Sequence, residues 1–385
     1  MSTRAIIKIF SVLLALTFAV PGFAATRHKS KRTPHTANAS LRKGRHTPVS
    51  HLSRLHRTHY IVNPWTEPTF ADSTVGDLVD GEDLVVRRAA VQALGPYNGT
   101  VVVADPRNGR LLSIVNQNLA LKSGYEPCST IKLVSAIAGL KEGVIDRDTT
   151  LRVSRRATFD LTSALAKSNN TFFAQIGYRL GFQKVSQYAR LMGLGERATL
   201  DIAEEQPGTL PASTPSEGMG MMCSFGSGIR ITPLQLAAMV SSLANGGTLY
   251  YLQHPRTQEE LDQFVPRVKR KLDIGQWIPE LKPGMTGAVE YGTARRAGYA
   301  ATDQAILGKT GTCTDTRQPG VHLGWFGSYN DVGPNKLVVV VLLTGGRPIN
   351  GPVASGVAGS VYRNLSEQNY FGQGRTISPV ALISQ

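Results

Sequence analysis

Ser129-Thr130-Ile131-Lys132 is the first place in this chain where residue type and spacing suggest chemistry. A serine hydroxyl is a poor nucleophile until a neighbouring base takes its proton, and a lysine of lowered pKa can be that base. Residues i and i+3 share one helix face, which puts the two side chains side by side. Glu126-Pro127 precedes the pair and apolar helical periodicity follows it. The spacing therefore predicts Ser129 in the first turn of a helix, where free N–H groups and the helix dipole favour developing negative charge. Two further patterns follow in order. Ser168-Asn169-Asn170 lies 39 residues after Ser129, and Lys309-Thr310-Gly311-Thr312 begins 139 residues after Asn170, at the end of an apolar run. Each alone is cheap: Ser40-Leu-Arg-Lys43 also fits the first pattern and Ser328-Tyr329-Asn330 the second. The ordered set of three is specific.

Other chemistries fit poorly. Six of the eight histidines lie before residue 60, leaving only His254 and His322 for the folded part. Neither has a serine and an acid near it in a triad arrangement. The histidine spacings follow no metal-ligand pattern, and there is no Walker A loop or dinucleotide fingerprint. No metal and no cofactor are expected.

The elements that must hold these residues can be outlined. Asp80-Gly-Glu-Asp before Leu84, Val85, Ala89, Val91 and Leu94, with Gly95 after, reads as a capped helix. Thr100–Ala104 and Leu111–Val115 flank Asp105-Pro-Arg-Asn-Gly109 and read as a hairpin. Helical periodicity runs from Ser129 to about Glu142, around 160–192, and from Thr232 to Asn245, where Gly246-Gly247 ends it. Residues 255–295 look mixed. Strand runs return at Ala305–Thr312, His322–Tyr329 and Leu337–Thr344, and Val353–Leu365 reads as a closing helix. This order predicts a mixed α/β fold of the α+β type: an antiparallel sheet built from both ends of the chain, flanked by helices, with an all-helical lobe inserted.

At the three motifs the chain resembles the penicillin-binding protein transpeptidase family, within the penicillin-binding protein/β-lactamase superfamily. The likeness extends to Glu205-Gln-Pro-Gly208-Thr-Leu-Pro211 and to Gly226-Ser-Gly228-Ile-Arg-Ile-Thr232-Pro-Leu-Gln-Leu-Ala237. It continues through Leu243-Ala-Asn-Gly-Gly247, through Met285–Ala294 with Val289 and Gly292-Thr293-Ala294, and through Trp325-Phe326. It spans about residues 80–366 and is similar to the class B members. The resemblance implies that Ser129 attacks a D-alanyl-D-alanine stem peptide, with Lys132 as base and Ser168 relaying a proton to the leaving amine. It implies that Asn170 holds the substrate amide and Lys132. Lys309, Thr310, Gly311 and Thr312 would form the strand that binds the terminal carboxylate, with the N–H groups of Ser129 and Thr312 as oxyanion donors. Stem peptides of peptidoglycan and β-lactam antibiotics are the implied ligands.

The same resemblance implies a disulfide between Cys128 and Cys313, since the start of the nucleophile's helix packs against the Lys-Thr-Gly strand in this fold. The alternative is two small buried thiols beside the site. Cys223 is expected to be a buried free thiol. Two other functions remain open. A serine β-lactamase would need a deacylating base, yet the Glu-x-x-Leu-Asn loop of class A enzymes is absent and Asn170 stands where class D enzymes have valine. A non-catalytic penicillin-binding sensor is the second. The acceptor, and so transpeptidase against carboxypeptidase or endopeptidase, has no readable signature.

The 385 residues carry a net charge of +15, but residues 1–66 hold eleven basic residues and no acid. The remainder has a net charge of only +4, so no nucleic-acid partner is implied. Arg4 and Lys8, the apolar stretch Ile9–Val20, and Gly22 and Ala24 at small-residue positions read as an export signal over 1–24, with an uncleaved membrane anchor as the alternative, since Ile6 and Ile7 extend the apolar stretch past Lys8. Residues 25–66 read as a basic disordered tail with a contact to anionic wall polymers or a membrane surface as its sharper reading. The transpeptidase domain is placed at 67–370 and a C-terminal tail at 371–385. An exported, extracytoplasmic protein permits disulfides. Class B members usually carry a pedestal domain before the transpeptidase; here about 40 residues of basic tail stand in its place.

Overall fold

The computed structural model describes residues 68–372, apart from 123, 301–304, 332 and 334. The expectations for residues 1–66 and for 373–385 lie outside the described residues.

The chain opens with α1 (Leu84–Leu94), which Asp83 caps by accepting from the Val85 and Val86 N–H groups. β1 (Gly99–Ala104) and β2 (Leu111–Val115) follow as the expected hairpin, then α2 (Gln117–Leu121). A 3₁₀ turn, Cys128–Ile131, runs directly into α3 (Lys132–Lys141). A small hairpin, β3 (Leu151–Ser154) and β4 (Ala157–Phe159), leads to α4 (Leu161–Ala166) and α5 (Asn170–Leu191). α6 (Gly218–Phe225) and α7 (Pro233–Ala244) precede a second hairpin made of β5 (Thr248–Tyr250) and β6 (Val268–Lys271), with α8 (Gln258–Asp262) between its strands. After α9 (Ile278–Glu290) and α10 (Arg295–Ala300) the chain returns to β7 (Ile306–Thr314), β8 (His322–Asn330) and β9 (Val338–Gly345), and closes with α11 (Gly351–Glu367).

The main sheet has the order β2-β1-β9-β8-β7, all antiparallel. Its first two strands come from the start of the domain and its last three from the end, as expected. β9 is buried along its whole length because both sheet faces are covered. Side-chain alternation divides the core. Val102, Ala104, Val338, Val340 and Leu342 face the inserted lobe, while Val101, Val103, Val339, Val341 and Leu343 meet residues of α1 and α11. The inserted lobe is helical in the main but also holds the two small hairpins, so it is not all-helical. β3 and β4 are short and half-exposed, with Arg152 and Ser154 alternating against Leu151 and Val153, a pattern too brief to separate from a loop.

Two elements differ from the sequence reading at places that matter. The helical run expected around 160–192 is broken at Lys167–Asn169, and α5 beyond the break is kinked at Gly181. Ser168 sits in the left-handed region at φ +53°, and the Asn169 side chain caps α5 by accepting from the Phe172 N–H. Ser129 lies in the 3₁₀ turn, before the α-helix begins. The tighter turn eclipses residues i and i+3, which brings Ser129 and Lys132 onto one line.

Candidate active site

Four elements converge on Ser129. Its own turn is fixed against β7: Trp325 Nε1 on β8 donates to the Glu126 carbonyl at 2.8 Å, and a Cβ at Gly311 would lie 2.9 Å from the Pro127 carbonyl oxygen and 3.0 Å from the Trp325 Cβ. Only glycine lets the turn approach the strand so closely. Cys128 and Cys313 are joined by a disulfide across this junction, with Cα atoms 5.6 Å apart, within the normal range for such a bond. Cys223 is a buried free thiol, pushed up to about 12 by burial; both cysteine expectations agree with the structure. A Cβ at Gly177 would lie only 2.5 Å from the Cys223 Sγ, so α5 and α6 pack tightly.

Lys132 is fully buried and its Nζ is surrounded by acceptors. It donates to Ser129 Oγ at 2.8 Å, Asn170 Oδ1 at 2.6 Å, the Ser168 carbonyl at 3.0 Å and Ser168 Oγ at 3.1 Å. The rings of Phe173 and Phe225 each lie 5.8 Å from the nitrogen and close off water. Burial, and secondarily the Lys309 charge, lower the Lys132 pKa to about 6. At neutral pH the amine is therefore free to accept a proton from the hydroxyl beside it.

Lys309, also fully buried, donates to Ser168 Oγ at 2.8 Å and to the Thr310 carbonyl at 3.0 Å. Burial lowers its pKa to about 7. The Thr310 hydroxyl shares a 2.6 Å hydrogen bond with Thr293. The Thr312 hydroxyl accepts from the Gly351 N–H at 2.8 Å. That uses a lone pair and leaves the O–H proton for another acceptor. Thr312 is exposed, whereas Lys309, Thr310 and Gly311 are buried. β7 is an edge strand of the sheet, so its outer backbone groups are available to a ligand strand.

The structure thus brings together Ser129, Lys132, Ser168, Asn170 and Lys309, with Thr310–Thr312 alongside. His254 and His322 stay apart from them. His254 is buried, and burial lowers its pKa to about 4. Sequence reasoning missed Phe173, Phe225 and Ser224, whose carbonyl accepts from Ser129 Oγ at 3.5 Å. It quoted Thr293 without a role. The missed residues carry no motif; only packing puts them there. The decoy Ser328-Tyr329-Asn330 is buried in β8, where Ser328 donates to the Val339 carbonyl.

A sheet assembled from both chain ends thus carries a lysine-paired serine beneath its edge strand. The penicillin binding protein transpeptidase domain matches residues 99–367, and the chain belongs to that family. It is 28% identical over 323 residues to stage V sporulation protein D of Bacillus subtilis, covering 69% of this chain and 49% of that protein. It is 24% identical over 342 residues to the peptidoglycan D,D-transpeptidase MrdA of Haemophilus influenzae, covering 68% and 52%. The chain thus spans about half the length of these curated relatives. The ceftriaxone acyl-enzyme structure of penicillin-binding protein A from M. tuberculosis aligns with a TM-score of 0.64 at 21% identity, covering 74% of this chain and 79% of that one; it shares the fold.

Proposed function

We propose that this chain is an exported peptidoglycan D,D-transpeptidase or D,D-carboxypeptidase that works through a Ser129 acyl-enzyme and is acylated by β-lactams at the same serine. One observation carries the reading: a buried lysine amine, its pKa lowered to about 6, stands 2.8 Å from the Ser129 hydroxyl.

In the mechanism that follows, Lys132 takes the Ser129 proton as Oγ attacks the carbonyl of the penultimate D-alanine. The N–H groups of Ser129 and Thr312 receive the oxyanion; loss of one such donor typically costs about 3 kcal/mol. Ser168 touches both lysine nitrogens and passes the proton to the leaving D-alanine amine as the C–N bond breaks. Asn170 holds the substrate amide and keeps Lys132 aimed. Lys309, Thr310 and Thr312 bind the terminal carboxylate, and Thr312 has a hydroxyl proton to give. An amine or water then takes the acyl group from Ser129. The basic segment 25–66 would add a salt-sensitive attachment to anionic wall polymers or a membrane surface.

The test is incubation with a fluorescent penicillin, followed for hours in the unaltered protein and in Ser129→Ala. A lasting adduct that disappears in the variant supports the reading. Rapid turnover would move it to a β-lactamase. No adduct, or normal labelling of the variant, overturns it.

A further inference from the structure

Gly292-Thr293-Ala294 takes no part in the mechanism above, yet it touches two of the three motif regions. The Thr293 N–H donates to the Ala166 carbonyl at 3.1 Å, two residues before Ser168. The Thr293 hydroxyl shares a 2.6 Å hydrogen bond with the Thr310 hydroxyl on β7. The segment is wedged in place. A Cβ at Gly292 would collide with the Ala166 carbonyl oxygen and lie 2.7 Å from the Ala288 Cα, so a side chain there would force α4 and α9 apart. The Ala294 N–H donates to the Ala288 carbonyl at 2.7 Å. The backbone on both sides of Thr293 is therefore held, and the half-buried hydroxyl is delivered to Thr310 from a fixed position.

Either oxygen of the Thr293–Thr310 pair can donate, and the two directions differ in consequence. A hydroxyl has one proton and two lone pairs. If Thr310 donates, its proton is spent, and a carboxylate at β7 meets only lone pairs. If Thr293 donates, Thr310 keeps its proton for the ligand. Thr293 Oγ1 has no other hydrogen bond among the described residues, so nothing there competes for its proton. Thr312 shows the same arrangement two residues on. Residues i and i+2 share a strand face, and a Cβ at Gly351 would lie 2.8 Å from the Thr310 Cβ and 3.0 Å from the Thr312 Oγ1. Thr312 accepts from a fixed donor, the Gly351 N–H, and retains its proton. With Thr293 as donor, Thr310 is supplied in the same way, by a side chain instead of the backbone.

We infer that Thr293 is a positioning residue for the acyl donor's carboxylate: it donates to Thr310, so that Thr310 presents its own proton to the ligand, and it ties that hydroxyl to the break that carries Ser168. This rests on the acyl-transfer reading above and deepens it, by naming a residue that makes β7 selective for donors with a free carboxylate. Thr293 acts through Thr310 and takes no part in bond making.

The experiment measures second-order acylation of the full chain by benzylpenicillin and by its methyl ester, which lacks the carboxylate charge, with the adduct read by mass. Thr293→Val keeps the branched shape and removes the hydroxyl. It should slow acylation by the acid about five- to tenfold, the net worth of one hydrogen bond, and acylation by the ester by less than about twofold. Thr293→Ser restores a hydroxyl and should recover most of the rate with the acid. Melting temperatures of both variants should stay close to that of the unaltered protein, because the backbone bonds to Ala166 and Ala288 remain. If Thr293→Val does not fold, Thr293→Ala carries the same expectations. Equal losses toward acid and ester, or a loss that serine does not recover, would assign Thr293 a purely structural role and overturn the inference while leaving the site reading intact. An undiminished rate with the acid in Thr293→Val overturns it as well. Failure of benzylpenicillin to acylate the unaltered protein removes the site reading, and the inference with it.

Discussion

Lys132 and Lys309 meet on one hydroxyl: their nitrogens lie 3.1 Å and 2.8 Å from Ser168 Oγ. Two ammonium groups that close, both out of water, oppose each other's charge. The resting state that suits the chemistry is a neutral Lys132 beside a charged Lys309; burial lowers both pKa values, and the Lys309 charge lowers that of Lys132 further, which fits that division.

Acylation by a penicillin should therefore follow a bell in pH. The rising limb tracks loss of the Lys132 proton near 6, and the falling limb tracks loss of the Lys309 charge above about 7. Replacing Lys309 by Ala removes the second cause of the low Lys132 value, so the rising limb should move to higher pH. Second-order acylation rates measured across the range check both. A rising limb that stays in place in Lys309→Ala would separate the two lysines.

Ser168→Ala removes the only side chain that touches both lysines among the hydrogen bonds described. Acylation should fall by about 100- to 10,000-fold, the usual size of a general acid–base contribution, with the melting temperature little changed. Loss of rate and of folded protein together would point to a structural role at the left-handed break between α4 and α5.

The Cys128–Cys313 bridge closes 185 residues of chain. The chain-entropy treatment gives about 5 kcal/mol for such a loop as an upper limit. Cys313→Ser should lower unfolding stability by a few kcal/mol in a denaturant titration, and should slow acylation because the nucleophile's turn loses its bond to β7. Alkylation of the unfolded, unreduced protein should modify Cys223 alone. Modification of all three would show the bridge absent in solution.

Gly311→Ala puts a methyl group 2.9 Å from the Pro127 carbonyl oxygen and 3.2 Å from the Thr130 methyl. The turn and the strand must separate by a few tenths of an ångström. Overpacking of this sort costs about 1–3 kcal/mol, and acylation should fall more than stability, since the displaced atoms flank Ser129. Calorimetry and labelling rates on one preparation compare the two.

The sequence by itself determined the chemistry and the order of the parts. Ser129 with Lys132, Ser168 with Asn170, and Lys309 with Thr310 are legible because each motif is local, and a local spacing on a helix or strand fixes relative position. The main strands were legible for a similar reason: runs such as Val338–Leu343 are too apolar for anything but a covered strand. The hairpin of β3 and β4 was not, since strands of three or four half-exposed residues leave no period to read. Tertiary structure alone decided the rest. It broke one expected helix at Ser168, a left-handed residue that periodicity treats as any other. It set Phe173 and Phe225 around Lys132, and that burial lowers the pKa of a residue type common at surfaces. It also brought Cys313 to Cys128 across 185 residues of chain. Such contacts depend on how the sheet closes from its two ends, and burial, charge and proximity between distant segments have no trace in local spacing.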